Sequence, residues 1–187
     1  MMNDLAFLTG QFLLATPGMM DPRFDHAVIA MCAHDAAGAL GIGIGATIDD
    51  LGLHDLLDQF DIAHGDAPDV PIHFGGPVEP RRGFVLHSTD WGGQDTIDVA
   101  GRWAMSSTVD VLRAIAAGTG PSRYVVALGY AGWGAGQLEG EMAQPGWFNV
   151  AGDDALLFDT AADRRWAGSF ARAGIDPRLL VADTGTA

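Results

Sequence analysis

The sequence predicts an α+β fold, and three observations predict it. Short apolar runs recur along the chain, each bounded by Gly, Pro or Asp turn residues. A few segments instead carry apolar side chains at helical spacing. Glycine is abundant, at 26 of 187 residues, so turns and bulges are frequent.

Taken in order, Gln11–Ala15 is an apolar run stopped by Thr16-Pro17-Gly18, a strand and a turn that Met19-Met20-Asp21-Pro22 continues. His26–Ala33 is the next strand. Val28, Ala30 and Cys32 alternate against Ile29, Met31 and Ala33, so both faces are apolar and both should be buried. His34–Gly38 is a short connection. Ala39–Thr47 is a third strand, with Gly41, Gly43 and Gly45 leaving one face bare. A bulge, another backbone or a ligand must approach that face closely.

Leu53, Leu56, Leu57 and Phe60 lie on one helical face, with Asp49 and Asp50 before it at the helix N-terminus. The acidic stretch Asp61–Pro71 is the best candidate for a mobile excursion. Short strands follow near Ile72–Phe74 and Gly83–His87, then a further strand or hairpin over Thr96–Ala100 and Trp103–Ser106. Ser107-Thr108-Val109-Asp110 opens a helix as a capping-box variant, and Gly118 closes it after Ala117. Tyr124–Tyr130 is an apolar strand and Gly136–Ala143 a short helix stopped by Pro145. Thr160 caps a last helix in which Trp166 and Phe170 share a face, with Gly174 at its end; the tail after Asp176 is weakly patterned. The length fits one domain over residues 1–187 with no repeat and no dividing linker.

Composition narrows the function classes. There are 24 acidic residues, 10 Arg and no Lys, for a net charge of −14. Such a chain repels phosphate backbones and anionic membranes, so nucleic acid is a disfavoured partner. The absence of Lys removes Schiff-base and P-loop lysine chemistry. One Cys excludes a disulfide framework and multi-thiolate metal sites. Met1–Gly10 lacks a signal-peptide pattern, and no run reaches the roughly 20 apolar residues of a membrane span. The expected location is the cytoplasm. The six His show no zinc-binding spacing, and no motif for a cofactor or metal is found.

Five ordered segments together resemble the AlgH/YqgE family. They are Leu14-Ala15-Thr16-Pro17-Gly18 with Asp21-Pro22-x-Phe24; Cys32-x-His34 with Gly38-Ala39-Leu40-Gly41; Phe74-Gly75-Gly76-Pro77-Val78 with Arg82-Gly83-Phe84-Val85-Leu86-His87; Leu128-Gly129-Tyr130-Ala131-Gly132-Trp133-Gly134 with Gln137-Leu138-Glu139 and Trp147; and Phe158 with Arg165-Trp166. The resemblance spans roughly residues 8–176. It implies strongly curved, bifurcated, mainly antiparallel sheets, barrel-like, with short packed helices. It carries no established enzymatic activity. One branch is linked to control of alginate synthesis, with a transcriptional role proposed; the charge of −14 and the lack of a helix-turn-helix pattern speak against that role here. This chain has Gly45 where relatives often carry Asn, which alters any site that Asn lines.

Three constellations are candidates for chemistry. Cys32 and His34 are two apart on a strand, about 6–7 Å between Cβ atoms on one face, a spacing at which imidazole can activate a thiol as nucleophile or redox centre. The alternative is a buried small hydrophobe followed by a turn histidine. Gly75 and Gly76, with Arg81, Arg82 and His87, offer an anion nest and a clamp, or a plain tight turn. Tyr130, Trp133, Gln137, Glu139, Glu141 and Trp147 offer a pocket wall, or core packing. Glu139 and Glu141 do not share a helical face, so paired-carboxylate catalysis is not expected. The favoured reading is a small cytoplasmic binding or regulatory protein of unknown ligand, using a groove bounded by the Cys32/His34 strand, the Gly75–Arg82 turn and a Gly129–Trp133 loop. The alternative is an enzyme or redox sensor using Cys32 with His34 or His87 as base.

Overall fold

In the computed structural model, which describes residues 7–180, ten strands form one curled, largely antiparallel sheet. They are β1 (Gln11–Ala15), β2 (Val28–Asp35), β3 (Gly38–Gly43), β4 (Thr47–Gly52), β5 (Pro71–Phe74), β6 (Val78–His87), β7 (Ile97–Val99), β8 (Trp103–Ser106), β9 (Tyr124–Gly134) and β10 (Trp147–Ala151). Five short helices pack around it: α1 (Leu53–Gln59), α2 (Val109–Ala117), α3 (Gln137–Met142), α4 (Asp154–Phe158) and α5 (Ala162–Arg172). The spatial order is β10-β1-β2-β3-β9-β6-β8-β7, with β4 and β5 branching from β9. The expected ends of the chain, Met1–Ala6 and the tail beyond 180, lie outside the described residues.

The branch arises at β9, the longest strand. Its C-terminal part, Ala131–Gly134, pairs with β3, while Tyr124–Leu128 pairs with β6. On its way it also takes β5 as a parallel neighbour through Ala127 and Leu128. Strands that leave one strand on different paths produce two sheet lobes, which gives the bifurcation. The expected Gly129–Trp133 loop is therefore a strand. Gly129, with φ of +79°, supplies the kink between the two halves.

Three apolar clusters fill the body. The largest holds Phe12, Leu14, Ala30, Cys32, Ile42, Phe84 and Trp103. A second lies between α1, α2 and the β6/β9 face, around Leu53, Leu57, Val85, Val111 and Val126. A third gathers Leu13, Ile29, Met31, Trp133 and Leu138. Strand β2 sits between the first and third clusters, so Val28–Cys32 is buried on both faces as its alternation requires, whereas Ala33, expected on a buried face, is exposed. At α1, Leu53, Leu56 and Leu57 are buried, but Phe60 caps the helix end and is 48% exposed.

The bare face of β3 is covered by the chain itself. A Cβ on Gly43 would lie 2.5 Å from the Phe74 carbonyl oxygen, and one on Gly41 would meet the Ile29 and Met31 side chains. The strand ends at Gly43 rather than Thr47. Thr47–Gly52 forms β4 instead, so Asp49 and Asp50 are strand residues and Gly52 precedes α1. Thr160 does not cap α5; its hydroxyl donates to the Ala155 carbonyl, and Ala161 stands at the cap. Thr108 is at the cap of α2, but its single hydroxyl proton is shared between the Asp95 and Asp110 carboxylates and makes no capping bond to the helix backbone. The loop after α1 is held by a stacked His54–His64 pair, 4.0 Å between ring centres, with His64 bonded to Asp58 at 2.7 Å.

Candidate functional site

A bulge separates the two residues that the sequence suggests as a dyad. Met31 pairs with Gly41 and Ala33 with Leu40, so Cys32 is an extra residue with no partner on β3. An extra residue inverts the alternation beyond it. Cys32 packs into the largest cluster with Ala30 and Ile42. His34 instead sits opposite Ala39, beside the third cluster. Its Nδ1 accepts from the Leu8 backbone N–H at 2.9 Å, so Nε2 carries the proton and donates to Glu139 at 2.6 Å. The pairing of thiol and imidazole on one face is thus corrected: they lie on opposite faces of β2. Burial pushes the Cys32 thiol up to about 12, only weakly offset by the Trp103 indole, the reverse of an activated nucleophile.

His87 lies on the face between the helices, away from Cys32. Its Nδ1 donates to the Ser88 carbonyl at 2.8 Å and its Nε2 accepts from the Ser106 hydroxyl at 2.8 Å. Desolvation lowers its pKa, so the ring is neutral at pH 7. Ser106 in turn bonds Thr96 at 2.7 Å. His87 and Ser106 are both wholly buried, so this chain of bonds fixes β8 and the loop before β7.

The diglycine turn and β9 do meet. Gly75 donates its N–H to the Leu128 carbonyl at 2.8 Å, and its own carbonyl accepts from Gly43 at 2.7 Å. Backbone rests on backbone here: a Cβ on Gly76 would strike the Tyr130 main chain. The Gly75 amide is therefore spent inside the sheet and is not available to an anion. Arg82 pairs with Glu79 at 3.4 Å and lies over the Phe84 ring, and it lines neither of the two recesses that the turn borders. Tyr130 also turns to Phe84, edge-on at 5.7 Å.

Trp133 takes the other direction. It walls a groove of about 610 Å³ together with Phe24, Met19, Trp147, Glu141 and the Pro77-Val78 end of the turn. The Trp133 indole N–H donates to Glu141 Oε2 at 2.8 Å, and Gln137 donates to Glu141 Oε1 at 3.1 Å. Gln137 and Glu141 are four apart on α3, one face of the helix. Phe24 meets Trp147 edge-on at 5.4 Å. Arg23 is clamped on Asp21, Nη2 to Oδ2 2.7 Å, at the rim. A smaller recess of about 110 Å³, holding Gly43, Gly45, Gly75 and Gly76, adjoins the groove across Phe24. Of the sequence candidates the groove thus brings together Trp133, Gln137, Glu141 and Trp147, with Gly75 and Gly76 next door. Cys32, His34, His87, Arg82 and Tyr130 stand apart from it.

A model of the family described as AlgH-like matches residues 12–178. The chain belongs to that family. Among similar proteins, a UPF0301 protein of Rhizorhabdus wittichii is 58% identical and one of Novosphingobium aromaticivorans 56%, each match covering all of both chains. The solution structure of the AlgH protein from Pseudomonas aeruginosa is 40% identical, superposes with a TM-score of 0.78 and covers both chains fully. A Corynebacterium diphtheriae protein of known crystal structure, 19% identical with a TM-score of 0.74 over 94% of this chain and 92% of its own, shares the fold.

Sequence reasoning missed Met19, Asp21, Arg23 and Phe24 as groove residues, since the irregular connection between β1 and β2 that carries them gives no periodic signal. It also missed the environment of Arg165. This buried guanidinium, 3% exposed, donates to the carbonyls of Ile44, Leu156 and Leu157 and to His73 Nε2 at 2.6 Å. It ties α4 and α5 to the sheet. Among the described residues no group of His, Cys, Asp and Glu is arranged to hold a metal, and no helix is long and apolar enough to cross a membrane.

Proposed function

We propose that this AlgH-like protein is a small cytoplasmic ligand-binding protein with a regulatory role, and that its ligand lies in the groove between β9, α3 and β10. The observation that carries this is the groove itself: Phe24, Trp133 and Trp147 around one concavity, with Glu141 held in place by two donors. Apolar walls with a few fixed polar groups are what small-molecule sites share. Glu141 and the clamped Asp21 favour a flat ligand that donates hydrogen bonds or carries positive charge, and aromatic walls suit such a cation. The net charge of −14 acts in the same sense and against a nucleic acid.

Gly140 allows a clean test, because it lines the groove and a Cβ there meets nothing within 4 Å. Gly140→Phe should fill the groove without disturbing the fold. The native protein, equilibrated with a metabolite extract and analysed by affinity-selection mass spectrometry, should retain a compound that Gly140→Phe and Glu141→Gln both release. Retention of nothing, or equal retention by both variants, refutes the site.

A further inference from the structure

A second cleft of different chemistry lies along β6. Arg81, Gly83 and Val85 of β6 line it, with Phe60 from α1, Leu112 from α2 and Leu128 from β9 among its other walls, and its volume is about 470 Å³. Most of its walls are apolar because they belong to the cluster packed between the two helices and the sheet, with Gln59, Ser106, Ser107 and Thr108 as neutral polar groups among them.

Three features distinguish it. First, no Asp or Glu lines it, although the chain has 24 acids; its one charged lining residue is Arg81. Arg81 is exposed and is absent from the ion pairs that Arg23, Arg82, Arg123, Arg172 and Arg178 make with carboxylates. Second, nothing in the backbone demands glycine at position 83. A Cβ there would touch only Leu128, at 3.9 Å, so the missing side chain leaves room instead of relieving a clash. Third, Phe60, which helical spacing assigns to the buried face of α1, stands 48% exposed where it borders the cleft.

We infer that this cleft binds a free amphipathic monoanion, a carboxylate with an unbranched apolar chain. The carboxylate meets Arg81, and the chain lies over Gly83 between Val85, Leu112 and Leu128, under Phe60. An exposed ion pair contributes little, so apolar burial supplies most of the affinity and Arg81 supplies the choice of sign. Affinity then rises about fourfold for each methylene added, until the cleft is full. This inference is independent of the aromatic groove, which shares no lining residue with the cleft and carries Asp21 and Glu141.

The test is calorimetric titration of the intact protein with hexanoate, octanoate and decanoate, each below its micellar concentration, beside decanol and decyltrimethylammonium. The expected result is one saturable site whose affinity climbs with chain length. Gly83→Val should weaken decanoate at least tenfold without lowering the melting temperature. Arg81→Glu should weaken decanoate and strengthen decyltrimethylammonium. Phe60→Glu, at a half-exposed position that tolerates charge, should also weaken decanoate and serves should Gly83→Val fold poorly. No saturable binding of decanoate, equal binding of the cationic analogue, or affinity unchanged in both Gly83→Val and Phe60→Glu would overturn the proposal. Sedimentation of the wild-type protein with phosphatidylglycerol vesicles would overturn the free-acid form, in favour of a membrane lipid as the source of the chain.

Discussion

Burial, with the neighbouring Arg165 guanidinium, pulls the His73 imidazole down from 6.5 to about 4. The geometry explains the direction. His73 Nδ1 faces the Val126 carbonyl at 3.1 Å and carries the ring proton, while Nε2 accepts from Arg165 Nη1 at 2.6 Å. A second proton on Nε2 would set one cation against another where both side chains are buried. In the unfolded chain the same ring titrates near 6.5. Between those values the unfolded state binds a proton that the folded state refuses, so this contribution is complete above pH 6.5 and is lost as pH falls toward 4. At about 1.4 kcal/mol per pH unit the full loss is roughly 3 kcal/mol, of which about 2 kcal/mol is spent by pH 5. His73→Gln keeps an acceptor for Arg165 and a donor for Val126 but does not titrate. Urea unfolding at pH 7.5 and pH 5, above the pI of 4.4, isolates the effect. The wild-type protein should lose about 2 kcal/mol more than the variant over that interval. Parallel losses would refute the reasoning, because carboxylates common to both chains would then account for all acid sensitivity.

Three further outcomes are expected. Cys32, 2% exposed and with its thiol held near 12, should react with iodoacetamide at pH 8 only as fast as the protein unfolds globally, read by mass spectrometry across a urea series; rapid labelling in native buffer would contradict its place in the core. His34→Ala removes the acceptor of the Leu8 amide and the donor to the partly exposed Glu139 at once, and should cost about 1–3 kcal/mol by chemical denaturation. Gly43→Ala sets a methyl group against the Phe74 carbonyl and should cost about 2–3 kcal/mol, whereas Gly140→Ala, open on all sides in α3, should be neutral or stabilise by up to about 1 kcal/mol; equal melting temperatures for the two would show that the close approach at β3 is not tight.

Much of the fold was legible because local pattern and tertiary demand coincide. The double-faced alternation of Val28–Cys32 put β2 between two cores, and the spacing of Leu53, Leu56 and Leu57 gave α1. The glycines of β3 correctly called for a close neighbour, although only the structure shows that neighbour to be the chain's own Phe74–Gly75 backbone and the Ile29 and Met31 side chains. What failed depended on partners distant in sequence. The bulge at Cys32 is set by how β3 registers against β2, and a single added residue there moved His34 to the other face. β4 and β10 escaped notice because Thr47–Gly52 contains two aspartates and lacks alternation, while Trp147–Ala151 owes its conformation to pairing with β1. The groove was half legible. Trp133, Gln137 and Glu141 stand together in the sequence, but Phe24 reaches them from more than a hundred residues away.

That first and last strands of the sheet are neighbours has a consequence for biosynthesis. β1 hydrogen-bonds to β10 from Gln11↔Ala151 to Ala15↔Trp147, so nearly the whole chain must leave the ribosome before the outer edge of β1 is covered. Until then Phe12, Leu13 and Leu14 lie along an open strand edge, the kind of surface that templates aggregation. Such distant pairing also makes for slow folding. A nascent chain stalled short of Trp147 is therefore a natural client for a chaperone, and the segment around Gln11–Ala15 is where one would hold it.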